Sequence, residues 1–214
     1  MKERPIIFKT EMVEAILEGR KTQTRRIMRD QPRWDSMLNA WSVPFGYCQN
    51  PRKSSTLLDQ VAYVQPGDIL WVKENFRIGK SWEGSSPSKV ASFLKPSDVF
   101  YPSAKEDAPS WAGRLRPSIH MPREFSRLTL EVADVRVMRL QDITMEDSIA
   151  EGLVFNEEYG KWQGSAEAKG GIRVFYHNPI KAFQDLWLSI HGKGSWDQNP
   201  WVFVYTFKVL EVKQ

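Results

Sequence analysis

The sequence has little cysteine and histidine and no long hydrophobic run. Its single cysteine, Cys48, excludes an intrachain disulfide and a cysteine-rich zinc site. The N-terminal segment carries charges on both sides of a three-residue apolar run. That run is far shorter than a signal-peptide core or the roughly 20 apolar residues of a membrane span. These absences predict a cytoplasmic protein without a membrane partner.

The net charge is also small. Among 214 residues, 30 Lys and Arg oppose 26 Asp and Glu, so the formal net charge of +4 permits a nucleic-acid partner without requiring one. The hydrophobic share of 41% excludes a disordered, collagen-like or coiled-coil chain. Tryptophan, in contrast, is abundant, with nine copies. Trp71, Trp187 and Trp201 lie in periodic apolar patterns and are predicted core residues, whereas the other six lie in predicted loops.

The order of predicted elements favours an α+β fold in a single domain spanning 1–214. Strands are predicted at 6–8, at 69–76, from Leu128 onward and at 201–210, and helices at 10–18, 144–151 and 179–190. Thr10 is the predicted cap of the first helix, and Gly19 is its predicted end. Thr144 is the predicted cap of the second helix, and Gly152 is its predicted end. The strand from Leu128 changes parity at Ala133 and Asp134, as at a β-bulge. Loop insertions rich in Pro, Gly, Ser and Asn are predicted near 31–65, 79–118 and 155–177.

The densest polar cluster follows the first predicted helix. Six cations lie within residues 19–33, and Asp30 alone opposes them. Such a cluster suits a polyanion such as RNA or DNA. The alternative is a solvated basic turn that complements the C-terminal end of the helix dipole.

Within this cluster, the spacing Gly19-x-Lys21-x-x-Thr24-x-Arg26 resembles the signature of the ASCH family. The family fold is a PUA-like small β-barrel, so the resemblance implies such a barrel with short flanking helices and long loop insertions. The full length is similar to ASCH proteins encoded by phages and prophages. The segments that match the family are 6–27, 66–76, 127–153 and 201–210.

The family signature usually has a glutamate at the position of Thr24. The threonine variant resembles the small bacterial N4-acetylcytidine amidohydrolases, in which the lysine and threonine act as base and nucleophile. Their third member is a glutamate near the end of a short helix, and the resemblance places this proton donor at Glu151. A threonine hydroxyl needs such a base, and a lysine serves only if its pKa falls toward neutrality. Because an extended strand would turn Lys21 and Thr24 to opposite sides, an irregular turn after Gly19 is required.

Other residues are candidates for binding rather than chemistry. Arg26 would stabilise a developing oxyanion, hold a phosphate or pair with a carboxylate. Glu74 would hydrogen-bond a base edge or Lys21, or form a structural salt bridge. The candidate nucleic-acid or substrate-binding residues are Arg20, Arg25, Arg26, Glu74, His120 and Arg123.

Two other functions stay open from the sequence. One is a non-catalytic module that binds RNA or modified DNA, and the other is a ribonuclease, although no histidine pair suggests it. His120, His177 and His191 are far apart, so a metal site would need carboxylates from distant segments. The expected partner is therefore a nucleoside or RNA or DNA, with no metal, no cofactor and an undetermined oligomeric state.

Overall fold

The structure, a computed structural model, describes residues 1–43, 46–53, 62–102, 107–165 and 173–213. The strands of this part of the chain are β1 (Glu3–Ile7), β2 (Gln23–Ile27), β3 (Arg33–Asp35), β4 (Ala40–Val43), β5 (Gly46–Cys48), β6 (Ile69–Lys73), β7 (Leu128–Arg139), β8 (Phe155–Asn156), β9 (Lys161–Gln163), β10 (Phe175–Tyr176) and β11 (Trp201–Val212). Its helices are α1 (Thr10–Leu17), α2 (Pro87–Val90), α3 (Met145–Ala150) and α4 (Pro179–His191). Among these helices, none is long and apolar enough to cross a membrane.

Local sequence signals account for the ends of the helices. The Thr144 hydroxyl accepts a hydrogen bond from the Asp147 amide at 3.1 Å and caps α3, as the sequence predicts. Gly19 follows α1 with a φ of +75°, a left-handed conformation that a glycine adopts without strain. The prediction that Thr10 caps α1 is wrong. Lys9 occupies the cap position, without a side-chain cap, and Thr10 is the first helical residue.

The largest sheet has five strands in the order β1-β6-β7-β11-β2. β1 and β6 pair in parallel, whereas β6 pairs with β7, and β11 with β2, in antiparallel register. This mixed sheet and the helices confirm the predicted α+β class. Within the described residues the order ends at β1 and β2 without closing, so the PUA-like barrel stays a prediction.

Chain contacts divide the protein into two compact units. The first comprises Met1–Glu18, Gly67–Val132 and Phe207–Gln214, and the second comprises Gly19–Pro66 and Ala133–Thr206. The first therefore contains β1, α1 and β6, and the second contains β2, α3 and α4. The single domain over 1–214 stays a prediction.

Each unit has its own apolar core. In the first, Phe76, Ile78 and Phe125 pack with residues of the predicted insertion 79–118. In the second, Phe183 and Trp187 of α4 pack against β11. Trp196, expected in a loop, joins this second core, and Trp201 is buried as predicted. Trp71 is only half-buried, so its predicted core position is wrong.

Two segments predicted as loops form small sheets. The 31–65 segment contains β3, β4 and β5, with Trp34 directly opposite Trp41 and the ring centroids 5.6 Å apart. The 155–177 segment contains β8, β9 and β10, with Phe155 opposite Trp162. These strands of two to four residues are too short to show periodicity. Parts of all three predicted insertions, at 44–45, 54–61, 103–106 and 166–172, lie outside the described residues.

Candidate functional site

The motif after α1 is attached to the C-terminal end of α3. Lys21 forms an isolated antiparallel bridge with Glu151, and the Thr22 amide donates to the Ala150 carbonyl at 2.9 Å. Glu151 is the C-cap residue of α3. Arg20 donates to the Gly152 carbonyl at 2.7 Å, a favourable place for a cation because helix C-termini carry unpaired carbonyl groups. The second unit therefore brings the predicted lysine and glutamate together.

Lys21 is buried, with 2% of its surface exposed. Its Nζ donates to the Glu151 Oε2 at 2.8 Å, to the Glu151 carbonyl at 2.9 Å and to the Gln23 carbonyl at 2.9 Å. These three acceptors match the three protons of an ammonium group. Burial lowers the pKa of Lys21, the Glu151 carboxylate opposes that effect, and the Arg26 and Arg25 charges add to the lowering.

The two terminal nitrogens of Arg25 donate to protein acceptors, whereas its buried Nε has no hydrogen-bond partner among the described residues. Its Nη1 donates to the Glu151 Oε1 at 2.9 Å and to the Gln23 Oε1 at 2.6 Å. Its Nη2 donates to the Asp147 Oδ2 at 2.7 Å. Each oxygen of Glu151 thus faces a different cation, with Lys21 at Oε2 and Arg25 at Oε1. The structure places Arg25, a predicted substrate contact, within the protein's own network.

Three further members of this network were not among the predicted site residues. Gln23 donates from Nε2 to the Asp147 Oδ1 at 3.1 Å. Arg136 donates to the same oxygen at 3.2 Å and extends the network to the surface. Burial opposes ionisation of Asp147, but the Gln23 hydrogen bond and the Arg25 and Arg136 charges hold its pKa below the usual range.

Two spacings in the sequence carry this network. Gln23 and Arg25 lie on the same face of β2, because every second residue of a strand shares a face. Asp147 in the first turn of α3 and Glu151 at its C-cap are four residues apart, a spacing that places them on one side of a helix. Strand alternation and helical spacing thus bring two pairs of side chains face to face. Neither spacing identifies the other segment as its partner, which is why these contacts were not predicted.

Thr24 and Arg26 lie on the other face of β2. Thr24 is buried and stands opposite Tyr205 of β11, and Arg26 stands opposite Phe203. Burial lowers the pKa of Arg26, and the charges of Glu151 and Tyr205 act in the opposite direction. The Glu151 charge therefore acts on Arg26, which lies on the same face of β2 as Thr24.

Glu74 belongs to the first unit and is fully paired there. Its carboxylate accepts two hydrogen bonds from Arg127, at 2.9 and 3.0 Å. The Arg127 guanidinium also lies 4.3 Å from the centroid of the Tyr101 ring. Burial raises the pKa of Glu74, and Arg127 opposes the rise. Of the roles predicted for Glu74, this geometry fits the structural salt bridge.

His120 and Arg123 also lie in the first unit. His120 is exposed in a 3₁₀ turn, Ser118–His120. Arg123 donates from Nε to the Glu3 Oε2 at 3.0 Å, and its guanidinium lies 6.0 Å from the Trp71 ring centroid. These two residues and Glu74 belong to the first unit, and the cluster that Lys21 forms with Glu151 belongs to the second.

No group of three or more His, Cys, Asp and Glu side chains in the described ranges could hold a metal ion. Comparison of the chain with protein-family models, with curated proteins and with solved structures finds no match in any of the three.

Proposed function

We propose that the chain is an ASCH-type domain that binds a nucleoside or nucleic acid and hydrolyses the amide of N4-acetylcytidine-like substrates. The observation that carries the proposal is the buried ion pair, at 2.8 Å, between Lys21 of the ASCH-like motif and Glu151. A strand, a short helix and the motif strand follow one another at the start of the chain, which supports the assignment. The PUA-like barrel is part of the same proposal.

A buried lysine–glutamate pair suits acid–base chemistry because one proton can occupy either partner. Transfer across the 2.8 Å hydrogen bond converts an ammonium and a carboxylate into an amine and a carboxylic acid. Burial favours the neutral amine, as the lowered pKa of Lys21 indicates. The neutral pair would supply the base and the acid that amide hydrolysis requires.

Thr24 would be the nucleophile. The Lys21 Nζ lies 2.9 Å from the Gln23 carbonyl, which belongs to the peptide group that joins Gln23 to Thr24. In acylation, the Lys21 amine takes the Thr24 hydroxyl proton as the threonine oxygen bonds to the acyl carbon. The C–N bond then breaks, and the leaving cytosine nitrogen takes the proton of Glu151. Acetyl-threonine, cytidine and the charged Lys21–Glu151 pair result.

In deacylation, a water oxygen bonds to the ester carbon while its proton passes to the Glu151 carboxylate. The ester C–O bond breaks, and the Thr24 oxygen takes a proton from the Lys21 ammonium. Acetic acid leaves, and the amine–acid pair is restored. Arg26 would stabilise the oxyanion in both steps, since it shares the strand face of Thr24. One water is consumed, and no external proton is required.

The test is release of acetate and cytidine from N4-acetylcytidine by the purified chain, measured by chromatography. Lys21→Met, Thr24→Ala and Glu151→Gln should each lower the rate by about 100-fold or more. The matched controls are Lys193→Met and Thr22→Ala, which change an exposed lysine and an exposed threonine in the same unit. Both controls should retain the wild-type rate. Turnover that persists in Thr24→Ala would overturn the assignment of the nucleophile.

A non-catalytic module that binds RNA or modified DNA is the second candidate. The observation that favours it is the separation of Thr24 from Gln23 and Arg25 across the two faces of β2. The exposed Arg29 and Arg33 extend the positive charge beyond the motif. This function predicts binding that weakens with salt and on Arg26→Ala, without release of acetate.

A further inference from the structure

A row of alternating charges leads away from Lys21 and continues beyond the residues that take part in the proposed hydrolysis. Its members are, in order, Lys21, Glu151, Arg25, Asp147 and Arg136. Each consecutive pair is joined by a contact of 2.7 to 3.2 Å. The row begins at a buried ammonium and ends at Arg136, whose side chain is 43% exposed.

We propose that Asp147 is a positioning residue that, through Arg25, holds the Glu151 carboxylate in place against Lys21. This inference rests on the proposed function, in which Lys21 and Glu151 exchange the proton. The Asp147 carbonyl accepts a hydrogen bond from the Glu151 amide at 3.2 Å, and the Asp147 carboxylate acts by occupying one arm of the Arg25 guanidinium. It would therefore set the chemistry without contacting the substrate.

The geometry of the guanidinium explains the effect. Arg25 binds two carboxylates, since its Nη1 donates to Glu151 and its Nη2 donates to Asp147. A guanidinium prefers to bind a single carboxylate with two parallel hydrogen bonds. If the Asp147 charge were removed, Nη2 would be available to Glu151. The carboxylate would then rotate toward Arg25, and its Oε2 would leave Lys21.

Gln23 helps to keep Arg25 bound to both carboxylates. Its side-chain oxygen accepts from Arg25 Nη1, and its side-chain nitrogen donates to the Asp147 Oδ1. The amide thus spans the two charged groups and fixes the distance between them. On the other side of Asp147, Arg136 donates to the same Oδ1. Asp147 is therefore held by donors from two strands, β2 and β7, as well as by the cap of its own helix.

Electrostatics act in the same direction as the geometry. The charges that face Lys21 are Glu151 from the end of α3 and Arg25 and Arg26 from β2. Loss of the Asp147 charge would remove a carboxylate that pairs with Arg25 beside Glu151, which adds positive potential near Lys21. Loss of the exposed Arg136 would do the opposite, because it removes a positive charge that pairs with Asp147 and leaves more of the Asp147 charge to act on Arg25.

The deciding measurement is the titration of Lys21, followed by NMR of lysine labelled at the ε-carbon. In Asp147→Asn the pKa of Lys21 should fall by about half a unit or more relative to wild type. In Asp147→Glu, which restores the charge, it should return toward the wild-type value. Asp134→Asn is the matched control, since Asp134 also faces Arg136 but has a more exposed side chain than Asp147. Its effect on Lys21 should be negligible.

A second variant keeps the inference testable if Asp147→Asn does not fold. Arg136→Gln changes an exposed residue and should raise the pKa of Lys21. Absence of a fall in Asp147→Asn, or absence of a rise in Arg136→Gln where the first variant is unfolded, overturns the role of Asp147.

Kinetics separate the two proposals. With N4-acetylcytidine, Asp147→Asn should lower kcat by about 10-fold with little change in KM, the smaller effect typical of residues that orient a reacting group. If wild type does not release acetate but Lys21 shifts as expected, the proposed hydrolysis fails and the positioning role stands. If wild type is active and Asp147→Asn changes neither kcat nor the Lys21 titration, the positioning role fails and the hydrolysis stands.

Discussion

The Lys21 ammonium and the Glu151 carboxylate lie 2.8 Å apart although the two residues are 130 positions apart in the chain. Their backbones also pair at a single bridge, so the contact is fixed by main chain and side chain together. The end of α3 brings the carboxylate to the motif, and Gly19 turns the motif toward it. This relationship gives the second unit a buried titratable pair whose consequences can be measured.

The pH dependence of stability should report the lowered pKa of Lys21. In the unfolded chain Lys21 titrates near its ordinary pKa of 10.5, and in the folded chain burial lowers that pKa. Between the two values the unfolded chain binds a proton that the folded chain does not. The free energy of unfolding that Lys21 contributes therefore rises with pH in this window. Wild type should gain stability relative to Lys21→Met as the pH increases toward 10.5.

Urea unfolding at a series of alkaline pH values measures this difference. Lys193→Met provides the control, because Lys193 is exposed and lies in the same unit. Its difference from wild type should stay constant across the series. A wild type that loses stability relative to Lys21→Met as the pH rises would show that the folded pKa of Lys21 is raised instead.

The cap of α3 should matter because this helix of six residues holds Asp147 in its first turn and is followed by Glu151 as its C-cap. Thr144→Ala removes the hydroxyl that accepts from the Asp147 amide and should cost about 1 kcal/mol. Thr144→Ser keeps an oxygen at the same position and should stay close to wild type. Thermal or urea unfolding distinguishes the two variants. Equal stability of Thr144→Ala and Thr144→Ser would mean that the cap contributes nothing.

Local signals in the sequence were sufficient for the elements around the site. Thr144 and Gly152 predict the ends of α3, and its observed bounds agree. Alternation predicts β7 and its change of parity, which appears as consecutive exposed residues, Ala133 and Asp134. These features depend on neighbours within one or two turns of chain, so a single sequence contains what determines them.

The ion-pair network could not be predicted in the same way. Arg25 and Asp147 are 122 residues apart, and only the tertiary fold brings them together. The odd spacing of Lys21 and Thr24 led us to expect an irregular turn after Gly19 that brings the two side chains together, and that convergence stays a prediction. The structure places Thr24 opposite Tyr205, on the other face of β2 from Gln23 and Arg25. Burial of Trp196 was also missed, because the turn after α4 has no periodicity that would mark a core residue.

Gly164 should resist substitution because of close packing. A Cβ at this position would lie 2.6 Å from the Asp185 Oδ2 and 2.7 Å from the Tyr176 Cε2. Asp185 is buried, so it cannot move aside freely. Gly164→Ala should therefore destabilise the protein by about 1–3 kcal/mol, as expected for overpacking.

The control for this substitution is Gly84→Ala, since a Cβ at Gly84 meets no atom within 4 Å. It should be neutral or slightly stabilising, because alanine restricts the unfolded chain more than glycine does. Urea unfolding of both variants makes the comparison. A Gly164→Ala variant as stable as Gly84→Ala would contradict the close approach of Asp185.

The Glu74–Arg127 pair should behave as a structural element of the first unit. The Glu74 side chain is 2% exposed and depends on Arg127 for both hydrogen bonds from side chains. Arg127→Met would leave a buried carboxylate without its counter-charge and should cost about 3 kcal/mol. That figure is the low end of the range for a broken buried pair, because Arg127 keeps 24% of its side chain exposed.

Replacing both partners separates the contribution of the ion pair to the free energy of unfolding from the destabilisation caused by an isolated buried charge. Glu74→Leu together with Arg127→Met removes both charges and should recover most of the stability that Arg127→Met alone loses, since apolar residues of similar size often replace a buried ion pair without loss. The three variants, with Glu74→Leu, form a double-mutant cycle measured by urea unfolding. If Glu74 instead bound a substrate, both Glu74 variants would weaken ligand binding at equal stability, and Arg127→Met alone would leave the fold unaffected.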